Sequence, residues 1–259
     1  ITSFETLSQQ VFNIEDEATG ILSFEGNVQE GSTLTANTSN ISDVDGSLTF
    51  TFQWQLADDS SSFDTNSNIS GATNSTFTIP SDQSYVDKFI RLTAVSTDSR
   101  GGTTSFETLS QQVVNVEDEA TGILSFEGNV QEGSTLTADT SNISDVDGSL
   151  TFTFQWQLAD DSSSFDINSN ISGATNSTFT IPSDQSYVDK FIRLTAVSTD
   201  SRGGTTSFET LSQQVVNIED EATGILSFEG NVQEGSTLTA DTSNILDLDG
   251  SLTFTFQWQ

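Results

Sequence analysis

The sequence predicts an all-β chain of tandem antiparallel β-sandwich domains. Three observations predict it. The segment Ser47–Leu56 alternates strictly, with Leu48, Phe50, Phe52, Trp54 and Leu56 on one side and Ser, Thr and Gln on the other, the period of a half-buried strand. Turn signals recur throughout, and no segment carries a sustained 3.6-residue period. The whole pattern then returns at a fixed interval.

That interval is 102 residues. Ser-Phe-Glu-Thr-Leu-Ser-Gln-Gln begins at Ser3, Ser105 and Ser207, and Phe-Gln-Trp-Gln begins at Phe52, Phe154 and Phe256. The first and second copies differ at Ile1/Thr103, Phe12/Val114, Ile14/Val116, Asn37/Asp139 and Thr65/Ile167; from 205 onward only Ile218, Leu246 and Leu248 depart from the second. Solenoid units run about 20–50 residues, so a longer period reads as a whole domain. The expected division is 1–17 as the last strand of a preceding repeat plus linker, 18–119 and 120–221 as full repeats, and 222–259 as the start of another. The chain reads as a window on a longer array.

Within one copy the elements follow in order. Ile21–Glu25 is the first strand, and Ser32–Ala36 follows the Gln29-Glu-Gly31 turn. Ser47–Leu56 lies between Asp43-Val-Asp-Gly46 and Asp58–Ser62. Ser75–Ile79 is closed by Pro80, which has no N–H for a ladder. Phe89–Thr97 places Ile90, Leu92 and Ala94 on one face. Ser99-Arg-Gly-Gly102 is a hairpin turn, and Thr104–Val116 returns. Leu109 and Val113 are out of phase with Phe106 and Val114, which predicts a bulge. Roughly seven short strands in about 100 residues make a sandwich.

Composition excludes several functions. There is no Cys, His or Met, so there is no disulfide, no thiolate or imidazole metal site and no His-based triad. The 38 acidic against 6 basic side chains give a net charge of −32. Phosphate backbones and anionic lipid repel such a surface, which argues against nucleic-acid and membrane partners. No apolar run approaches the roughly 20 residues of a membrane span. Catalysis has little support, because a small sandwich repeated almost unchanged offers no deep cleft. Asn-x-Ser/Thr acceptors occur at Asn37, Asn40, Asn68 and Asn74, a number that chance supplies in a chain this rich in Asn, Ser and Thr.

The landmarks resemble the immunoglobulin-like fold: Trp54 lies mid-strand in the third position, and Tyr85 precedes Phe89–Thr97 as a candidate tyrosine corner. More specifically, five motifs spanning a copy resemble the tandem immunoglobulin-like or cadherin-like repeats of giant bacterial surface proteins and adhesins. They are Gly26-x4-Glu30-Gly-x-x-Leu-Thr35, Ile41-x-Asp-x-Asp-Gly46, Phe52-Gln-Trp54, Ile69-x-Gly-Ala-Thr73 and Phe89-Ile-Arg-x-x-Ala-Val-x-Thr-Asp98. The resemblance implies a non-catalytic extracellular stalk, spacer or fibre of a bacterial surface adhesin.

It also implies where acidic residues meet. The linker Glu15, Asp16 and Glu17 would join Asp43 and Asp45 of the B–C loop and Asp98 of the F–G turn. The next junction repeats them as Glu117, Asp118, Glu119, Asp145, Asp147 and Asp200, and a third begins with Glu219, Asp220, Glu221, Asp247 and Asp249. Asp82 and Asp87 lie on the E–F corner expected to face the following junction. Oxygen ligands alone select hard cations, and six to eight of them suit Ca²⁺. The alternative is a solvated loop in which Asp43 and Asp45 make Asx turns. Arg100 would compete with a cation there, whereas Arg91 and Lys88 are expected to pair with Asp82 or Asp87.

The expected partners are neighbouring repeats of the same chain and, in a fibre, lateral copies. Glycan- or protein-binding modules are the alternative, with Phe63 in the Asp58–Ser70 loop as the one candidate anchor. Self-assembly into a surface filament is a third reading.

Overall fold

The computed structural model describes all residues from Ile1 to Gln259. They divide into two compact units, Ile1–Glu117 and Asp118–Gln259.

The first unit is an antiparallel β-sandwich. Its strands are β1 (Ser23–Glu25), β2 (Thr33–Asn37), β3 (Thr49–Ala57), β4 (Thr76–Thr78), β5 (Phe89–Thr97), β6 (Thr103–Glu107) and β7 (Gln111–Gln112). One sheet has the order β1-β2-β4; the other runs β3-β5-β6, with β7 also on β5. The β3–β5 register sets Trp54 opposite Leu92 and Phe52 opposite Ala94. The alternation in β3 therefore delivers one row of aromatics to the space between sheets.

Trp54 is the centre of that core and is fully buried with Leu34, Ile79, Ile90, Leu92 and Val113. Phe24 meets its ring edge-on at 5.4 Å, and Phe77 stacks on it at 5.9 Å. Tyr85 stacks on Phe77 at 6.0 Å. Burying an indole strands its N–H unless a partner is near; here Nε1 donates to the Asn74 carbonyl at 3.1 Å. These contacts hold the two sheets together with no disulfide, since the chain has no cysteine.

The predicted bulge is an interruption at 108–110 between β6 and β7. Thr108 Oγ1 accepts the Leu92 N–H at 3.0 Å, while Leu109 turns outward and is 90 % exposed. Beyond β7 the chain crosses to the other sheet. The Val114 N–H donates to the Val28 carbonyl at 3.0 Å, and the Glu30 N–H donates to the Val114 carbonyl at 3.3 Å. This parallel contact brings the linker alongside Glu30.

The second unit repeats the sandwich as β8 (Ser125–Glu127), β9 (Thr135–Asp139), β10 (Thr151–Ala159), β11 (Thr178–Thr180), β12 (Phe191–Thr199), β13 (Thr205–Glu209) and β14 (Gln213–Gln214). Two two-stranded ladders follow. β15 (Thr223–Gly224) pairs with β18 (Ile245–Leu246), and β16 (Ser227–Glu229) pairs with β17 (Thr239–Asp241).

Residues 1–17 carry no strand, although 103–112 supply β6 and β7 with nearly the same sequence. The same holds for 251–259, whose counterparts form β3 and β10. Both β6 and β3 ladder onto β5, and neither end segment has that partner within this chain. Trp258 is accordingly 55 % exposed where Trp54 is 0 %. Tertiary pairing, more than local propensity, makes these strands.

Candidate metal centre

In the first unit the carboxylate oxygens of Glu15, Asp45 and Asp98 lie within 4.8 Å of one another. The fold brings them from three places: the segment before β1, the turn before β3 and the turn after β5.

Each aspartate commits one oxygen to the backbone. Asp98 caps its own turn: Oδ1 accepts the N–H groups of Arg100 at 2.5 Å and Gly101 at 2.9 Å. Its Oδ2 is buried without a hydrogen-bond partner, in a residue only 7 % exposed. Asp45 Oδ2 accepts the Asp16 N–H at 2.8 Å, and Asp45 Oδ1 lies 3.8 Å from Arg100 Nε. Asp43 is spent locally, as its Oδ1 accepts the Asp45 N–H at 2.7 Å. This is the Asx turn of the alternative reading. It aims Asp45 at the cluster and is compatible with a cation. Gly46 completes the turn at φ +131°, a conformation that L side chains rarely adopt.

Gly102 forms the floor of the cluster. A Cβ at that position would overlap Glu15 Oε1 and Asp98 Oδ2 together. Its φ is not positive, so glycine is required here by space and not by backbone conformation.

Like charges packed this closely perturb one another. Asp98 Oδ2 lacks a donor only while both groups are ionised; the hydrogen bond that a protonated Glu15 gives Asp98, then burial, then the charges of Asp98, Asp45 and Asp43 push the Glu15 carboxyl above its ordinary range. The Arg100 N–H, above all, holds Asp98 below its own. The pair thus holds a proton more readily than an isolated glutamate. A divalent cation placed between the carboxylates would relieve the repulsion and partner the bare oxygen of Asp98. Three carboxylates are a hard, oxygen-only donor set, which fits a hard divalent cation.

The second unit contains a different triad. Carboxylate oxygens of Glu132, Asp220 and Asp249 lie within 4.8 Å of one another. Glu132, the counterpart of Glu30, is a residue that sequence reasoning missed. A glutamate in a Gln-Glu-Gly turn reads as solvated, yet Glu30 and Glu132 are 5 % and 4 % exposed. The linker crossing beside them produces that burial: Glu30 Oε1 accepts the Val116 N–H, and Glu132 Oε1 the Ile218 N–H, both at 2.6 Å.

The other expected site residues fall into place around these groups. Asp118 and Asp220 follow Asp16, donating backbone N–H groups to Asp147 Oδ2 at 2.7 Å and Asp249 Oδ2 at 2.6 Å. Asp145 and Asp247 repeat the turn of Asp43. Asp200 repeats the cap of Asp98, accepting from Arg202 and Gly203. Glu117 is exposed at the end of the first unit. Glu17, Glu119, Glu219 and Glu221 are exposed and belong to none of the triads.

The corner residues refine one expectation, since the corner does face the following junction but through an amide, and correct the expected pairing of Arg91. Asp82 accepts the N–H and hydroxyl of Ser84 within its own turn. In the second unit it is Gln185, not Asp184 or Asp189, that reaches the acidic cluster, with Nε2 2.9 Å from Asp249 Oδ1. Arg91 pairs with Glu107 at 2.9 Å instead of Asp82 or Asp87, because β6 lies beside β5. Its guanidinium also covers the Phe63 ring at 4.4 Å and donates to Gln55 Oε1 at 2.7 Å. The one candidate anchor for a binding module is thereby capped.

No protein-family model and no curated protein matches this chain. Among solved structures, it is similar to a Ca²⁺-stabilized adhesin with which an Antarctic bacterium binds ice. The identity is 12 % and the TM-score 0.31, covering 82 % of this chain and 52 % of that one. The chain thus spans about half the length of that structure. A 1.5-MDa bacterial ice-binding adhesin gives 12 %, TM-score 0.30 and coverage of 83 % and 70 %. The FN1–FN3 domains of chicken CNTN1 give 8 %, TM-score 0.27 and coverage of 88 % and 87 %. No helix is long and apolar enough to cross a membrane.

Proposed function

We propose that this chain is a non-catalytic spacer, a segment of a bacterial cell-surface adhesin whose repeats set distance and are stiffened by Ca²⁺ where linkers meet domains. The observation that carries this reading is the buried, unpartnered Oδ2 of Asp98, aimed at Glu15 and Asp45 over Gly102. A buried carboxylate oxygen with no donor is costly, and a cation is the ligand that its neighbours suit. Because Glu15 belongs to the linker and Asp45 and Asp98 to the sandwich, a bound ion would tie one to the other. The nine-residue strands β3 and β5, at roughly 3.3 Å per residue, give each repeat about 30 Å of reach.

Calorimetric titration of the intact chain with Ca²⁺, beside Mg²⁺, tests the reading. Saturable Ca²⁺ binding, a higher melting temperature and a narrower spread of scattering dimensions are expected. Identical melting and scattering in Ca²⁺ and in chelator would sink it.

A further inference from the structure

The two kinds of carboxylate triad are not satisfied in the same way. At Glu15, Asp45 and Asp98 one buried oxygen, Oδ2 of Asp98, has no donor. At Glu132 and Asp249 every carboxylate oxygen has one. Glu132 Oε1 accepts from Ile218 N–H at 2.6 Å and Oε2 from Gln185 Nε2 at 3.3 Å; Asp249 Oδ2 accepts from Asp220 N–H at 2.6 Å and Oδ1 from Gln185 Nε2 at 2.9 Å. Gln185 also donates to Asn217 Oδ1 at 2.7 Å.

We infer that the Gln185 amide is a cation-independent clasp, the surface by which the corner before β12 docks the Asp-x-Asp-Gly loop of the repeat that follows it. The amide nitrogen stands among three acceptor oxygens, two of them on carboxylates from different repeats. An NH₂ group has two hydrogens, so the longest of the three contacts is the shared one. A neutral donor in this position satisfies both carboxylates while adding no charge of its own. The linker is held by the same pair: Glu132 takes the N–H of Ile218, and Asp249 takes that of Asp220, two residues on. Linker direction is thus set by four carboxylate oxygens and three protein donors. Gln83 is held alike within the first unit, 2.7 Å from Asn115 Oδ1 and 3.4 Å from Glu30 Oε2.

The clasp goes beyond the calcium reading and stands without it, so its test is run on the full chain in excess chelator. Amide hydrogen exchange is followed at Ile218, Asp220 and Asp249. Gln185→Ala is expected to speed exchange at these amides by about tenfold, the loss of a hydrogen bond to a charged acceptor. Amides of β10 and β12 should keep their protection and report that the second repeat is folded. Asp249→Ala is expected to act on Ile218 to the same extent, and the double variant no more than either single one. Unchanged exchange in Gln185→Ala, or additive effects in the double variant, would overturn the clasp. A failure of Ca²⁺ binding in the separate titration would leave it standing.

Discussion

Asp98 turns its one unpartnered oxygen toward Glu15 across the bare Cα of Gly102. The three residues make a site whose parts are a linker acid, a turn acid and a gap. Removing the gap should therefore be as damaging as removing an acid. Gly102→Ala is expected to lower Ca²⁺ affinity at this site by about tenfold or more, since its Cβ displaces two ligand oxygens at once. Asp98→Asn should abolish binding there, and it should also weaken the chelated protein, because a neutral amide oxygen is a poorer acceptor for the two turn N–H groups. Calorimetry and thermal melting of both variants separate the two effects. Wild-type affinity in Gly102→Ala would remove the site.

Arg100 is the built-in rival of the ion. Its guanidinium stands 3.8 Å from Asp45 Oδ1 with a side chain more than half exposed, so the pair is weak. Arg100→Gln is expected to raise Ca²⁺ affinity severalfold, with the largest gain at low ionic strength where the competing charge is least screened. Stability in chelator should change little. A fall in affinity would mean that Arg100 assists the ion.

The same two acids make opposite contributions to stability as pH changes. Glu15 is raised, so its protonated form favours the folded state; that stabilisation is present at low pH and is lost as pH rises through its folded pKa. Asp98 is lowered, so its contribution is present above the ordinary aspartate range and is lost as pH falls. In chelator, lowering the pH from neutral should first stabilise the first sandwich and then destabilise it. Glu15→Gln should remove the rise and keep the fall. Melting curves across pH 3–7 check this, and a monotonic wild-type profile would contradict it.

The sheets were legible because a strand buried on one face writes its period into the sequence. β5 runs over Phe89–Thr97, the expected bounds, and the phase slip around Leu109 marked a true interruption. Asp45 and Asp98 were legible as turn acids placed by topology. Glu30 and Gln185 were not. Their surroundings come from the linker, which runs beside Glu30 through a contact as distant in sequence as Val28 with Val114. No local pattern encodes that crossing. Gln185 also lies one residue after Asp184, and charge drew attention to the aspartate while the amide made the contact.

Phe63 was legible as an aromatic in a loop but not as a covered one, and this leads to a last prediction. Arg91 lies over its ring, bonds Gln55 and pairs with Glu107. Gln55 Nε2 in turn holds Asn68 Oδ1 at 2.7 Å. The 58–70 loop is thus fastened to the outer face of β3 and β5 through one guanidinium. Lysine keeps the charge but has no planar fork to serve all three neighbours. Arg91→Lys should therefore destabilise the first sandwich, and Phe63→Leu should cost less because it keeps apolar cover. The Arg91 side chain is only 18 % exposed, so the double-mutant coupling of Arg91 and Phe63 is expected at about 1–2 kcal/mol, above the range for an exposed cation–π pair. Asp59, at the head of the loop, supplies an independent check. The Ser62 hydroxyl, with the N–H and hydroxyl of Ser61, lowers its pKa to about 2. Its contribution is complete above the ordinary aspartate pKa and fades as pH falls toward 2. Asp59→Asn should thus melt below the wild type at pH 5 and level with it near pH 2. A gap that persists at the acid end would mean that Asp59 acts through packing and not through its charge.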